Sequence, residues 1–216
     1  MQLTQHDFTA MPSRQRATLV NSLSGFKSAN LIGTADASGM TNLAIMSSVV
    51  HLGSHPPLLA LVIRPGGDER HTLANILATE CFTINHVSAP LIEAAHQTAA
   101  RYHREISEFE ATGLTPEWRE DLAAPMVLEA NVKLGMHLRD HQELKINKTH
   151  LVIGEIVFAD IPENGLTADG ALDLSVCGTV ALTGLDTYHA AAPVKRMAYA
   201  KPGLPPRAIE PSGTPL

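Results

Sequence analysis

The chain has only two cysteines in 216 residues, Cys81 and Cys177, and they lie far apart. No CxxC pair occurs. This argues against a thiolate zinc site or a dithiol redox motif and leaves room for at most one disulfide. Basic residues are also scarce: 16 Lys and Arg stand against 22 Asp and Glu, a formal net charge of -6 with the histidines neutral. A nucleic-acid binder needs the opposite surplus, so nucleic acid is not expected as the main partner; a local basic pocket for one phosphate stays open. Long apolar runs are missing too. The longest, residues 58–63, is far too short to span a membrane. Residues 1–16 are polar and lack the apolar stretch of a signal peptide. The expectation is a soluble, reduced, cytoplasmic protein. The usual short catalytic signatures are absent as well: no GxSxG elbow, Walker A loop, HExxH or EF-hand loop, and no GxGxxG after any strand-like run.

What is present is an ordinary globular composition, 44% hydrophobic and 18% charged, with enough chain for one sizeable core. No internal repeat is found. Residues 9–23 read as a helix with Pro12 near its start. Residues 29–35 and 42–52 read as strands joined by the turn Asp36-Ala37-Ser38-Gly39, a hairpin. After Pro56-Pro57 comes the apolar strand 58–64, buried on both faces. A helix is expected at 71–78, a strand at 81–87, and a second helix at 90–101 with Ser88 as N-cap. Residues 102–124 are polar and irregular, with a helical turn near 116–121. Two long strands, 127–138 and 150–161, follow. The tail 202–216 has five prolines and two glycines and is expected to be extended or disordered. The remainder, 1–201, reads as one domain. Strands joined by turns rather than by helical crossovers favour an antiparallel barrel with added helices over a doubly wound sheet.

Chemistry must then come from clusters of polar side chains. In the run 41–51, Ser47 and Ser48 interrupt an apolar strand. Small side chains there expose backbone N–H and C=O groups to the polar edge of a flat ligand; the alternative is a barrel-edge strand with solvated serines. In the run 64–75, Arg64, a Gly-rich turn, Arg70 and Thr72 precede a helix, a fitting geometry for a terminal phosphate. The alternative is a surface loop, and Asp68 and Glu69 weaken the anion case unless they point away. The runs His96-Gln97-Thr98-Ala99-Ala100-Arg101-Tyr102 and Asp186-Thr187-Tyr188-His189 either line a pocket or end in solvent. The histidine pairs His137/His141 and His51/His55 have helical spacing but fall on strand or loop segments, so no metal site is expected.

Residues 42–57, Arg70-His71-Thr72-Leu73-Ala74-Asn75-Ile76, Thr83-Ile84-Asn85-His86-Val87, the His96 to Tyr102 run, Gly184-Leu185-Asp186-Thr187-Tyr188-His189 and Tyr199-Ala200-Lys201-Pro202 together resemble the flavin reductase-like family of FMN-binding split barrels. The likeness covers residues 14–202. It implies a six-stranded antiparallel split β-barrel with peripheral helices, forming a homodimer with one FMN at each end of the interface. Carried over, Asn42, Ser47, Ser48 and Val49 contact the ring or ribityl chain. Arg64, Arg70 and Thr72 hold the phosphate. His96, Gln97 and Thr98 approach the flavin, in some cases from the second subunit, and His189 joins them. Family members reduce flavin with NADH or NADPH, and some serve a partner monooxygenase. The function implied is hydride transfer from NAD(P)H to FMN, with electrons passed to a second acceptor. The alternative is a flavin-binding carrier or sensor without turnover. A third reading is a split-barrel oxidase or reductase acting on another small molecule. No nicotinamide fingerprint is present, as expected where the nicotinamide simply stacks on the flavin.

Overall fold

A computed structural model describes residues 1–66 and 71–213. Its centre is a seven-stranded antiparallel sheet. The strands are β1 (Asn30–Ala35), β2 (Thr41–Met46), β3 (Val49–Ser54), β4 (Pro57–Ile63), β5 (Cys81–His86), β6 (Lys133–Glu143) and β7 (His150–Asp160). Their spatial order is β2-β1-β5-β6-β7-β4-β3. The helices are α1 (Gln5–Ala10), α2 (Ser13–Leu23), α3 (His71–Thr79), α4 (Ile92–Gln97) and α5 (Glu108–Thr112).

Six strands become seven because the expected strand 42–52 breaks at Ser47-Ser48 into β2 and β3. These two are the opposite edges of the sheet, yet consecutive in sequence. Only Ser47 and Ser48 separate Met46 from Val49, and three Cα–Cα steps span at most roughly 11 Å. The sheet must therefore curl until its two edges nearly meet at this link. The result is a barrel left open along one seam.

The strand β1 is buried on both faces. Side chains of β1 alternate between two cores. Ile32 joins Leu61, Ile63, Ile76, Phe82, Ile84, Met136 and Val152 inside the barrel. Leu31 joins Leu43, Ala95, Phe109, Val127 and Leu182 on the outside, beneath α4, α5 and the outlying strands. Two glycines make the close approaches possible. A Cβ at Gly154 would strike the Phe82 ring, and one at Gly33 the Pro125 carbonyl. Pro125 sits on the outlying strand Leu122–Val127, which Asn85 and Thr83 pin to the barrel. The Asn85 amide donates to the Leu31 carbonyl (3.0 Å) and its oxygen accepts from the Val127 N–H (2.9 Å). Thr83 donates to the Pro125 carbonyl (2.7 Å).

Other departures from the expected elements have local causes. The N-terminal helix is two helices, because the residue before a proline is pushed out of the helical region: Met11 is extended and Pro12 opens α2. The second expected helix is shorter, a 3-10 turn (Ala89–Leu91) followed by α4. Ser88 stands at its start without a side-chain cap bond, and Thr98 ends it by donating to the Ala95 carbonyl (2.7 Å). The expected helical turn near 116–121 is instead the strand Pro116–Arg119, which pairs with Leu122–Val127 through a turn held by an Arg119–Asp121 fork. The expected strand 127–138 is divided between that outlying strand and β6. In the tail, Ala208–Ile209 pairs with Arg196–Met197, and Arg196 bonds Asp169 (2.7 Å) and the Pro211 carbonyl (3.1 Å).

Candidate functional site

The seam of the barrel collects most of the polar candidates. At one end of β2, Asn42 lies opposite Thr34 of β1. Its amide donates to the hydroxyls of Thr34 (3.1 Å) and of Thr72 (3.0 Å), the second residue of α3. Asn75, one turn further along α3, donates to the same Thr34 oxygen (3.2 Å). All four side chains are buried. Thr72 accepts from Asn42, and among the described residues its own hydroxyl hydrogen has no acceptor. It stands at a helix start, where further N–H groups point out of the helix. Arg64, exposed at the end of β4, begins the loop that leads to this helix. Arg70 lies outside the described residues.

Beside this corner is a narrow cleft lined by Asp36, Asn42, His71, Asn75, Arg104 and Glu108. Bonds from Ser38 hold the Asp36 carboxyl down at about 2, and Arg104 pairs with it at 3.4 Å. Glu108 is buried in the opposite sense: desolvation raises its carboxyl above the ordinary range, against the Leu43 N–H bond and the nearby His71.

The outer edge of β2 is unusual for a sheet edge, because side chains fill two of its outward N–H groups. Leu43 N–H donates to Glu108 Oε2 (2.9 Å) and Ile45 N–H to Thr98 Oγ1 (2.9 Å). Thr41 and Ser107 hydroxyls meet at 2.6 Å. Two residues past Ile45, just beyond the end of β2, is Ser47. Among the described residues its N–H has no partner. Ser48 belongs to the other edge: its hydroxyl donates to the Val62 carbonyl (2.6 Å) and its carbonyl accepts from the Val62 N–H (3.1 Å). Val49 opens β3 and packs toward the barrel interior.

The remaining candidates stand further along. His96 and Gln97 are exposed at the end of α4, next to Thr98. His96 Nδ1 is 3.1 Å from the Tyr188 hydroxyl, and Gln97 donates to the Tyr102 hydroxyl (2.9 Å). Burial, reinforced by Asp186, raises the Tyr188 phenol. His189 faces a different set of partners, with Nε2 2.8 Å from the Thr183 hydroxyl and its ring edge-on to Phe26. Thus Asn42 and Thr72 are joined directly and Thr98 is bonded to the same strand. Ser47, Ser48 and Val49 form the seam itself, while among the described residues His96, Gln97 and His189 make no hydrogen bond with the Asn42–Thr72 corner.

Residues 23–174 match the family model described as the flavin reductase like domain. The chain belongs to the flavin reductase-like family. Among solved structures, it is similar to a protein with a split barrel domain from Shewanella frigidimarina NCIMB 400, named as a candidate flavin reductase. That likeness is 50% identity over 93% of this chain and 100% of the other, with a TM-score of 0.89. Nitrilotriacetate monooxygenase component B from Bacillus cereus shares the fold at 19% identity, covering 89% and 96% of the two chains with a TM-score of 0.78. The 2-nitrobenzoate 2-nitroreductase NbaA from Pseudomonas fluorescens does so at 20% identity, covering 95% and 98%, also at 0.78. The open, curled antiparallel sheet with helices on its outer face is this family's split barrel.

In this family member, sequence reading passed over Glu108, and with it α5. A signal for the helix was present: Ser107 precedes it and Gly113 follows it in the left-handed conformation that ends helices. Nothing in the sequence pairs Glu108 with Leu43, which lies 65 residues away.

Proposed function

We propose that this protein binds FMN along the seam between β2 and β3 and works in the cytoplasm, as a homodimer, as an NAD(P)H-dependent flavin oxidoreductase. The observation that carries this reading is a strand with open donors at both ends. Thr72 has a free hydroxyl hydrogen, held in place through Asn42. Five residues on, Ser47 has a free N–H. At about 3.3 Å per residue they are roughly 17 Å apart along the strand, the scale of an extended mononucleotide with a three-ring base.

The residues fit such a ligand. Thr72, the first N–H groups of α3, Arg64 and Arg70 offer hydroxyl, backbone and guanidinium donors to a phosphate. Asn42 fixes the Thr72 rotamer. Ser47 offers its N–H to the polar edge of the ring, Ser48 holds the facing border in place, and Val49 supplies an apolar contact. His96, Gln97, Thr98 and His189 complete the surroundings, with some contributed by the second subunit. Bound FMN would supply the hydride-accepting chemistry, with NADH or NADPH as donor and a second molecule as final acceptor. The protein would supply orientation and donors that favour added negative charge on the ring. The family's kinship with a monooxygenase component supports a partner oxygenase as that acceptor.

The test has two stages. Purified protein should keep a yellow colour through dialysis. Anaerobic mixing with NADH and with NADPH should then bleach it rapidly with at least one donor. Slow or absent bleaching with both would favour a carrier, and a protein that takes up no flavin would end the reading.

A further inference from the structure

We propose that Glu108 is a positioning residue for the flavin: its carboxylate and the Thr98 hydroxyl occupy the outward N–H groups of Leu43 and Ile45, so that the outward N–H at Ser47 is the next one open to a ring. This rests on the flavin reading above and adds what fixes the ring's place along the strand.

An edge strand offers an outward N–H at every second residue, about 6.6 Å apart. Each is an equivalent donor for the polar edge of a flat heterocycle. Left open, Thr41, Leu43, Ile45 and Ser47 would give the ring a ladder of registers, and binding would be spread among them. The middle two are closed, each by a side chain from a different helical segment. Glu108 Oε2 lies 2.9 Å from the Leu43 nitrogen and Thr98 Oγ1 2.9 Å from that of Ile45. Neither acceptor is a casual surface contact. Glu108 and Thr98 are both buried. Thr98 is fixed by its own bond to the Ala95 carbonyl (2.7 Å). Ser107, the neighbour of Glu108, ties α5 to Thr41 at 2.6 Å. A buried carboxylate is a costly way to cap one N–H. Its presence is accounted for if that N–H must stay closed, with that of Ile45, while the one at Ser47, four residues along, stays open. Ser47 is only half-buried and can be reached from solvent.

The test compares Glu108→Gln with Glu108→Ala, and Thr98→Ser with Thr98→Val. FMN and riboflavin are the probes, and affinity and the visible spectrum of the bound flavin are the readouts. The Gln amide oxygen and the Ser hydroxyl can still accept the strand N–H, so both variants should bind within about threefold of the original protein and keep its spectrum. Ala and Val remove the acceptor. Each frees a competing N–H, so each should shift or broaden the spectrum of bound FMN and riboflavin alike while affinity stays within a few-fold. A general loss of stability would lower the melting temperature without altering the spectrum of the flavin that binds. If Glu108→Ala fails to fold, the Thr98 pair and Glu108→Gln still decide. A wild-type spectrum in Thr98→Val, or an altered one in Glu108→Gln, would overturn the inference. An unaltered protein that binds no flavin would overturn the flavin reading itself, and this inference with it.

Discussion

Two buried polar clusters in this protein use the same residue types to different ends. Around Asn85, on β5, every bond closes on the protein: Asn85 spans Leu31, Thr83 and Val127, and Thr83 reaches Pro125. Around Asn42 the amide also spans two partners, but the chain of bonds ends on Thr72, whose hydrogen is left over. The first cluster holds an outlying strand against the barrel. The second leaves one donor open at a helix start. On the proposed reading this difference separates structure from site: a structural network is satisfied within itself, while a binding network ends with a group still to be used.

The comparison can be broken most forcefully at Asn85. Asn85→Ala orphans a buried N–H and a carbonyl, and should cost about 3 kcal/mol or more of unfolding free energy. The ratio of FMN to riboflavin affinity should not change. Denaturant titration and flavin binding on the same samples check both halves, and a changed ratio would mean the two clusters are not separate.

Acid should find the structural side next. Burial lowers the His86 imidazole from 6.5 to about 4, with its Nδ1 3.1 Å from the Thr179 hydroxyl. The folded protein then resists a proton that the unfolded chain accepts. The stability conferred is whole above about 6.5 and drains away as pH falls toward about 4, up to about 3 kcal/mol. Melting temperatures across that range should fall, and His86→Leu should flatten the slope. An equal slope in the variant would place the loss on another group.

On the site side, Thr72→Ala with Arg70→Ala should weaken FMN by about 1.5–3 kcal/mol per charge-assisted bond and leave riboflavin nearly untouched. Equal losses for both ligands would remove the phosphate from this corner. The smallest effect belongs to Ser47→Ala. It keeps the backbone N–H and should change flavin affinity by less than about 0.5 kcal/mol. A large loss would mean that the hydroxyl, not the N–H, meets the ligand.

How much of this was legible in the sequence follows the same division. The strand of β4 and the helix α3 announced themselves through apolar runs and turn residues, because burial on a regular element writes a period into the chain. The break at Ser47-Ser48 was visible as polar residues, but not as a break. Whether a strand continues or turns to the opposite edge is decided by sheet closure, which has no local signature. Thr72 could be picked out from a helix start, whereas Glu108 could not, since its meaning lies in an N–H 65 residues away. The turn expected near Pro116 became a strand because Leu122–Val127 was available to pair with it, a tertiary override of local propensity.

The Ser47-Ser48 link has a mechanical consequence. It is a stitch between the two hems of one cloth, and with only two residues in it the hems cannot part there. Any breathing of the crevice must come from its unstitched end, toward Asn42, so a flat guest bound as proposed would enter and leave like a page slid into a bound book, from the side away from the spine.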